Sequence, residues 1–125
     1  MDVAREPLTQ RVIGCAIEVH RTLGPGLLES AYTRCLALEL RVSDVPFVQQ
    51  AALPVLYKGT PLDCGYRVDF IVDGSLIVEL KAVDAILPIH QAQRLTYLKL
   101  LRVKQGLLIN FNVTRLVDGL RSFLI

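Results

Sequence analysis

Gly65-Tyr66-Arg67-Val68-Asp69-Phe70-Ile71-Val72-Asp73-Gly74-Ser75-Leu76-Ile77-Val78-Glu79-Leu80-Lys81-Ala82 decides how this chain folds. It reads as two short strands joined at Asp73-Gly74, a strong local turn signal. The even positions Tyr66, Val68, Phe70, Val72, Leu76, Val78, Leu80 and Ala82 are all apolar. Strand side chains alternate between faces, so both strands bury their even residues on one side. Arg67, Asp69, Glu79 and Lys81 then share the other side. A two-residue loop would pair Val72 with Ser75 and throw the two apolar stripes onto opposite faces, because a slip of one residue reverses every side chain. Pairing Val72 with Leu76, across a three-residue loop or a bulge at Gly74, aligns the stripes. It sets Asp69 opposite Glu79 and Arg67 opposite Lys81.

The 125 residues suit one domain, 1–125, with one substantial core. A hydrophobic share of 52% points to a well-buried sheet or an oligomer face. No apolar run is long enough to span a bilayer, and Met1-Asp2-Val3-Ala4-Arg5-Glu6 lacks a signal-peptide core, so no membrane contact is expected. Cys15, Cys35 and Cys64 are widely spaced, form no metal or redox motif, and read as reduced core residues of a cytoplasmic protein. A net charge of +2 neither demands nor excludes a nucleic-acid partner.

From Leu8 to Leu23 the pattern is helical, with Val12, Ile13, Ala16, Ile17 and His20 on one face. His20 there reads as a packed, hydrogen-bonded side chain rather than a ligand. Gly24-Pro25-Gly26 breaks the helix, and a second starts near Gly26 or Leu27. Its apolar face is Leu28, Ala31, Tyr32, Cys35, Leu36 and Leu40, with Glu29 in the first turn, where a helix dipole favours an acid. Phe47 to Tyr57 reads as one irregular strand near a sheet edge, interrupted by Pro54, and Lys58-Gly59-Thr60-Pro61 as a loop. Pro88 opens a helix running to Arg102 on Ile89, Ala92, Leu95, Leu98 and Leu101, with Gln93 and Tyr97 on an adjacent stripe. Gly106-Leu107-Leu108-Ile109-Asn110-Phe111 suits a buried strand. Strand, helix, strand implies a right-handed crossover and a parallel pair. Thr114 to Ile125 reads as an added strand or a short helix. The expected fold class is α/β (α+β with a mixed sheet): two N-terminal helices, a central strand hairpin, a crossover helix and a further strand.

Asp69, followed by Glu79-Leu80-Lys81 on the next strand, resembles the D…(D/E)-x-K signature of the PD-(D/E)XK nuclease superfamily, whose restriction-endonuclease-like core has this element order. Gln93-x-x-x-Tyr97 resembles the Q-x-x-x-Y motif of bacterial recombination-type exonuclease domains. Gly26-Leu27-Leu28-Glu29-Ser30-Ala31-Tyr32 resembles the pattern that names the small GxxExxY proteins, as do Ile17-Glu18-Val19-His20, Val78-Glu79-Leu80-Lys81-Ala82 and Leu107-Leu108-Ile109-Asn110-Phe111. The likeness runs from about Leu8 to Phe111. Val68 stands where the superfamily's name has proline, a residue that carries no chemistry.

The resemblance implies a Mg²⁺- or Mn²⁺-dependent nuclease that hydrolyses phosphodiesters, with DNA as the expected substrate. The alternative is a non-catalytic module of the same fold that binds nucleic acid or protein. Phosphodiester hydrolysis needs charge neutralised on phosphorus-bound oxygens and a water activated. Asp69, Glu79, Glu29 and the carbonyl of Leu80 are the expected metal ligands, hard oxygens suited to Mg²⁺. Lys81 would serve as base or position the attacking water. Gln93 would orient Lys81 or contact the backbone of the substrate. Tyr97, Arg67, Tyr32 and His90 are the expected nucleic-acid contacts, His90 having also the reading of an ordinary helix-start residue. Two sites are needed to cut both strands of a duplex, so a symmetric homodimer is expected.

Overall fold

A computed structural model of the chain describes residues 6–125; the sequence reading at Met1 to Arg5 lies outside them. Two helices come first, α1 (Pro7–Leu23) and α2 (Glu29–Val42). Strands β1 (Phe47–Ala52), β2 (Val55–Tyr57), β3 (Thr60–Leu62), β4 (Arg67–Val72) and β5 (Leu76–Lys81) follow. Helix α3 (Pro88–Leu101), β6 (Gln105–Asn110), a 3-10 turn (Leu116–Gly119) and β7 (Leu120–Leu124) complete the chain. β1, β4, β5, β6 and β7 form one sheet in that order, and β2 pairs with β3 alone. Every pairing is antiparallel except β5 with β6, the parallel pair that α3 connects.

The β4–β5 register is the one that the apolar alternation requires. Val72 pairs with Leu76, Ile71 with Ile77 and Phe70 with Val78, across a loop in which Asp73 and Gly74 both have positive φ. The Ser75 N–H closes the turn on the Val72 carbonyl at 3.0 Å. Phe70, Val72, Leu76, Val78 and Leu80 are buried against α1 and α2. Ile77 packs on the opposite face with Tyr97 and Leu98 of α3. The sheet is thus covered on both sides.

Several expectations change. α2 starts at Glu29, and Leu28 stays 77% exposed because it precedes the helix. Ile17 is also exposed, whereas Thr9, Cys15 and Val19 join Val12, Ile13, Ala16 and His20 in the buried stripe of α1. The strand expected from Phe47 to Tyr57 divides at Leu53-Pro54. Proline cannot donate to a ladder, and the chain leaves the main sheet there. Lys58-Gly59 is the turn of the β2–β3 hairpin rather than part of a plain loop. α3 is rotated from the expected face: Arg94, Tyr97 and Leu98 are buried, while Ile89, Ala92 and Leu95 face out. Cys64 is exposed and Cys35 half-buried, so only Cys15 is a core cysteine; all three are free. The chain end supplies both the 3-10 turn and an edge strand.

His20 packs as expected, with Nε2 2.8 Å from the Val113 carbonyl oxygen. None of the described helices is long and apolar enough to cross a membrane.

Candidate active site

The carboxylates meet where the β4–β5 ladder ends. Continuing the register beyond Phe70–Val78 sets Asp69 opposite Glu79, but the strands join there through side chains. The Asp69 N–H donates to Glu79 Oε1 at 3.0 Å, and the Leu80 N–H donates to Asp69 Oδ2 at 2.9 Å. Each carboxylate thus holds the other residue's strand. Val68, one residue before Asp69, packs with Leu53, Tyr97 and Leu98 on the α3 side rather than with Phe70. β4 stays paired with β1 on both sides of Asp69, through Gln49–Phe70 and Ala51–Val68, but its ladder with β5 stops at Phe70–Val78, and Arg67 has no ladder partner in Lys81. N–H and C=O of one strand residue point to the same edge. The Leu80 carbonyl therefore faces the side where its N–H meets Asp69.

A cation already stands behind Glu79. Arg94 of α3 is 4% exposed and Glu79 6%, and Nη1 lies 2.7 Å from Oε2. Arg94 Nη2 donates to Gln93 Oε1 at 2.7 Å, and its guanidinium covers the Tyr97 ring at 4.6 Å. Burial and the charge of Asp69 nevertheless outweigh Arg94 and push Glu79 up to about 8. Two carboxylates in a dry site do not both ionise readily beside a single cation. Sequence reasoning passed over Arg94, because a charged residue on an amphipathic helix reads as a solvent face. The signal available was its place next to Gln93 and three residues before Tyr97, inside the motif already singled out.

Glu29 reaches the site from α2. It is exposed, but partial desolvation raises its pKa; Lys81 and Arg94 oppose that rise and Asp69 adds to it. Its placement explains the Gly26, Glu29, Tyr32 spacing. Gly26 has φ +95° in the turn between the helices, a conformation glycine adopts without steric cost. Tyr32 Oη accepts the Leu27 N–H at 3.1 Å and donates to the Gly24 carbonyl at 2.6 Å. Its ring stacks on Phe111 at 4.5 Å between centroids and is fully buried. Tyr32 is therefore no nucleic-acid contact. It locks the turn that starts α2 and so sets Glu29.

Lys81 is half-buried on β5, two residues beyond Glu79 and paired with Asn110 of β6. Asn110 was also missed as more than part of a strand. It is 2% exposed; Oδ1 accepts the Val83 N–H at 3.1 Å, and Nδ2 donates to the Val83 carbonyl at 2.9 Å. This side chain pins the segment leaving Lys81. Gln50 of β1 faces Asp69 with φ +52° and donates from Nε2 to Oδ1 at 3.4 Å. A non-glycine residue in that conformation costs of order 1–3 kcal/mol.

The remaining expected contacts spread around this centre. Gln93 is half-buried beside Arg94. Tyr97 is largely buried, and burial, opposed by Arg94, raises its hydroxyl pKa. His90 Nδ1 accepts the Leu87 N–H at 3.0 Å, the helix-start role; burial first, then Lys81 and Arg94, lower its pKa. Arg67 is exposed and bound to Asp63 at 3.2 Å and to the Tyr66 carbonyl at 2.8 Å.

Among the described residues no three His, Cys, Asp or Glu side chains form a ready cage for a metal. Mg²⁺ is usually held by one or two carboxylates with water and phosphate completing the shell. Asp69, Glu79 and the Leu80 carbonyl fit that donor set, since each carboxylate oxygen keeps a further lone pair beyond the contacts given above. A sequence model of the PD-(D/E)XK nuclease superfamily matches residues 6–123. No curated protein and no solved structure gives a significant match.

Proposed function

This chain belongs to the PD-(D/E)XK nuclease superfamily, and from that premise we propose that it is a Mg²⁺- or Mn²⁺-dependent nuclease of the GxxExxY type, acting on DNA as a cytoplasmic, single-domain homodimer. The observation that carries the reading is the crossed pair, Asp69 and Glu79 each bound to the other's strand, with Lys81 two residues on. The Arg94 contact alone leaves this pair with an elevated Glu79 pKa, and a divalent cation supplies the missing positive charge. Asp69, Glu79 and the Leu80 carbonyl would hold the ion, with Glu29 closing the site from α2. When bound, it neutralises charge on the phosphoryl oxygens and lowers the pKa of water.

The chain's own residues do the rest. Lys81 positions the attacking water and the scissile phosphate. Water adds to phosphorus, the P–O bond to the leaving oxygen breaks, and a proton reaches that oxygen. Arg94 holds Glu79 in place from behind, and Gln93 holds Arg94. Asn110 keeps the segment after Lys81 from drifting.

A second reading rests on the same guanidinium. Arg94 already gives Glu79 a buried counter-ion, as suits a binding module that uses no metal. Incubation with single-stranded, duplex and branched DNA, with Mg²⁺, Mn²⁺ or chelator, separates the two. Metal-dependent cleavage of any strand supports the nuclease. Binding of DNA that is indifferent to chelator, without cleavage, supports the module.

A further inference from the structure

Beside the carboxylates, on the α3 side of the sheet, a cleft of about 350 Å³ opens between Leu53, Tyr66, Ile89, Gln93, Tyr97 and Leu100. Gln93 and Tyr97, which line it, also touch Arg94, the partner of Glu79, so the cleft adjoins the proposed catalytic centre. We propose that it takes an unpaired nucleobase of the substrate strand, which makes single-stranded DNA, or the unpaired end of a duplex, the substrate class. This rests on the nuclease reading above.

The lining has the chemistry of a base and not of a phosphate. None of its side chains is charged, and Gln93 and Thr96 add polar groups to an otherwise apolar and aromatic wall. The volume lies at the small end of ligand pockets. Tyr66 is 46% exposed, yet its backbone is fixed: its carbonyl accepts the Leu53 N–H at 3.0 Å and Arg67 Nη1 at 2.8 Å. Tyr66 and Tyr97 meet edge to face with centroids 6.4 Å apart. Rings in that arrangement do not cover one another as stacked rings do, so a flat face remains for a ligand.

Charge is distributed to match a strand. Arg67, next to Tyr66 and exposed, lies outside the neutral cleft, paired at 3.2 Å with the exposed Asp63; a phosphate of the same strand would take the place of that surface carboxylate. Three residues after Tyr66 stands Asp69. Tyr66, Arg67 and Asp69 thus present a base platform, a phosphate contact and a proposed metal ligand at one end of β4. A base inside a paired duplex is stacked on both faces and cannot enter such a cleft without leaving the helix.

The test is fluorescence anisotropy with a labelled oligodeoxythymidylate, in chelator so that no strand is cut. A strand of equal length made of abasic residues is the second probe. Base–aromatic stacking predicts that Tyr66→Ala weakens the thymidylate by about five- to hundred-fold. Ala92→Phe, which fills the cleft from exposed α3, should do the same, and Tyr66→Phe should bind as wild type. The abasic strand should bind wild type weakly and ignore all three changes. Equal binding of both strands by wild type, or thymidylate binding unmoved by Tyr66→Ala and Ala92→Phe, overturns the proposal, including where the cleft seats a partner protein instead. Cleavage measured in parallel separates the two readings. Cutting that persists while Tyr66→Ala changes nothing removes the cleft alone. Tyr66-dependent binding with no cutting by wild type removes the nuclease and upholds the cleft.

Discussion

The elevated Glu79 pKa makes stability fall as pH rises. The carboxyl titrates near 4.5 in an unfolded chain and at about 8 in the fold, so between those values the folded state holds an extra proton. Its contribution is fully present below pH 4.5 and is lost as pH rises through about 8. At about 1.4 kcal/mol per pH unit over roughly 3.5 units, the loss is at most about 5 kcal/mol. A domain of ordinary stability has only about 5–15 kcal/mol in all, so the change is large against the whole. Urea unfolding followed by circular dichroism, at about pH 5 and about pH 8 in chelator, reads it directly. Wild type should lose several kcal/mol between the two. Glu79→Gln, which mimics the protonated form at every pH, should match wild type at the lower pH and exceed it at the higher. Adding Mg²⁺ should recover much of the wild-type loss by binding the ionised pair and leave Glu79→Gln nearly unmoved. Wild-type stability that is flat or rising over this range, or a fall that persists unchanged in Glu79→Gln, would refute the reasoning.

Other substitutions separate the parts of the site. Above about pH 8, where Glu79 is ionised, Arg94→Ala should cost about 3–5 kcal/mol in urea unfolding, because it leaves the buried carboxylate facing Asp69 with no cation; at lower pH, with Glu79 protonated, the cost should be smaller. Gln50→Gly should hold stability or raise it by up to about 1 kcal/mol through relief of the left-handed backbone; cleavage should nevertheless fall with the loss of the amide on Asp69. Gly119→Ala should lower the melting temperature sharply, since a Cβ there runs into the Asn110 carbonyl oxygen; the expected cost is about 1–3 kcal/mol.

The hairpin was legible from Phe70 to Leu80 because parity fixes its register there, although Val68 departs from it. A two-residue loop would have turned Phe70 and Val72 away from the core that Val78 and Leu80 enter. α1 was legible for a similar reason, and Pro88 marked the start of α3. The rotation of α3 was not, because an apolar stripe says nothing of a charge whose partner lies elsewhere. Glu79 draws Arg94 inward and displaces Ile89 and Leu95 to the surface. The break after β1 needed tertiary information as well: Pro54 shows that a strand is interrupted, not that β2 and β3 form a separate pair.

Asp69, Glu79 and Lys81 could be named from spacing on adjacent strands. Tyr32 was named for the wrong task, since its distance from Glu29 fits a shared surface as well as a buried hydroxyl beneath a glycine turn. Gln50 carries no local signal, and Asn110 only its place in the Leu107-Leu108-Ile109-Asn110-Phe111 block, which assigns it no task. Their importance comes from what β1 and β6 bring opposite Asp69 and Val83.

The most direct measurement compares single-turnover DNA cleavage by wild type and Lys81→Ala, with Mn²⁺ binding to both followed by calorimetry. Lys81 supplies no metal ligand in this account, so ion affinity should be retained while the cleavage rate falls by about 10²–10⁴. No metal-dependent cleavage by wild type on any DNA, or equal rates for wild type and Lys81→Ala, would contradict it.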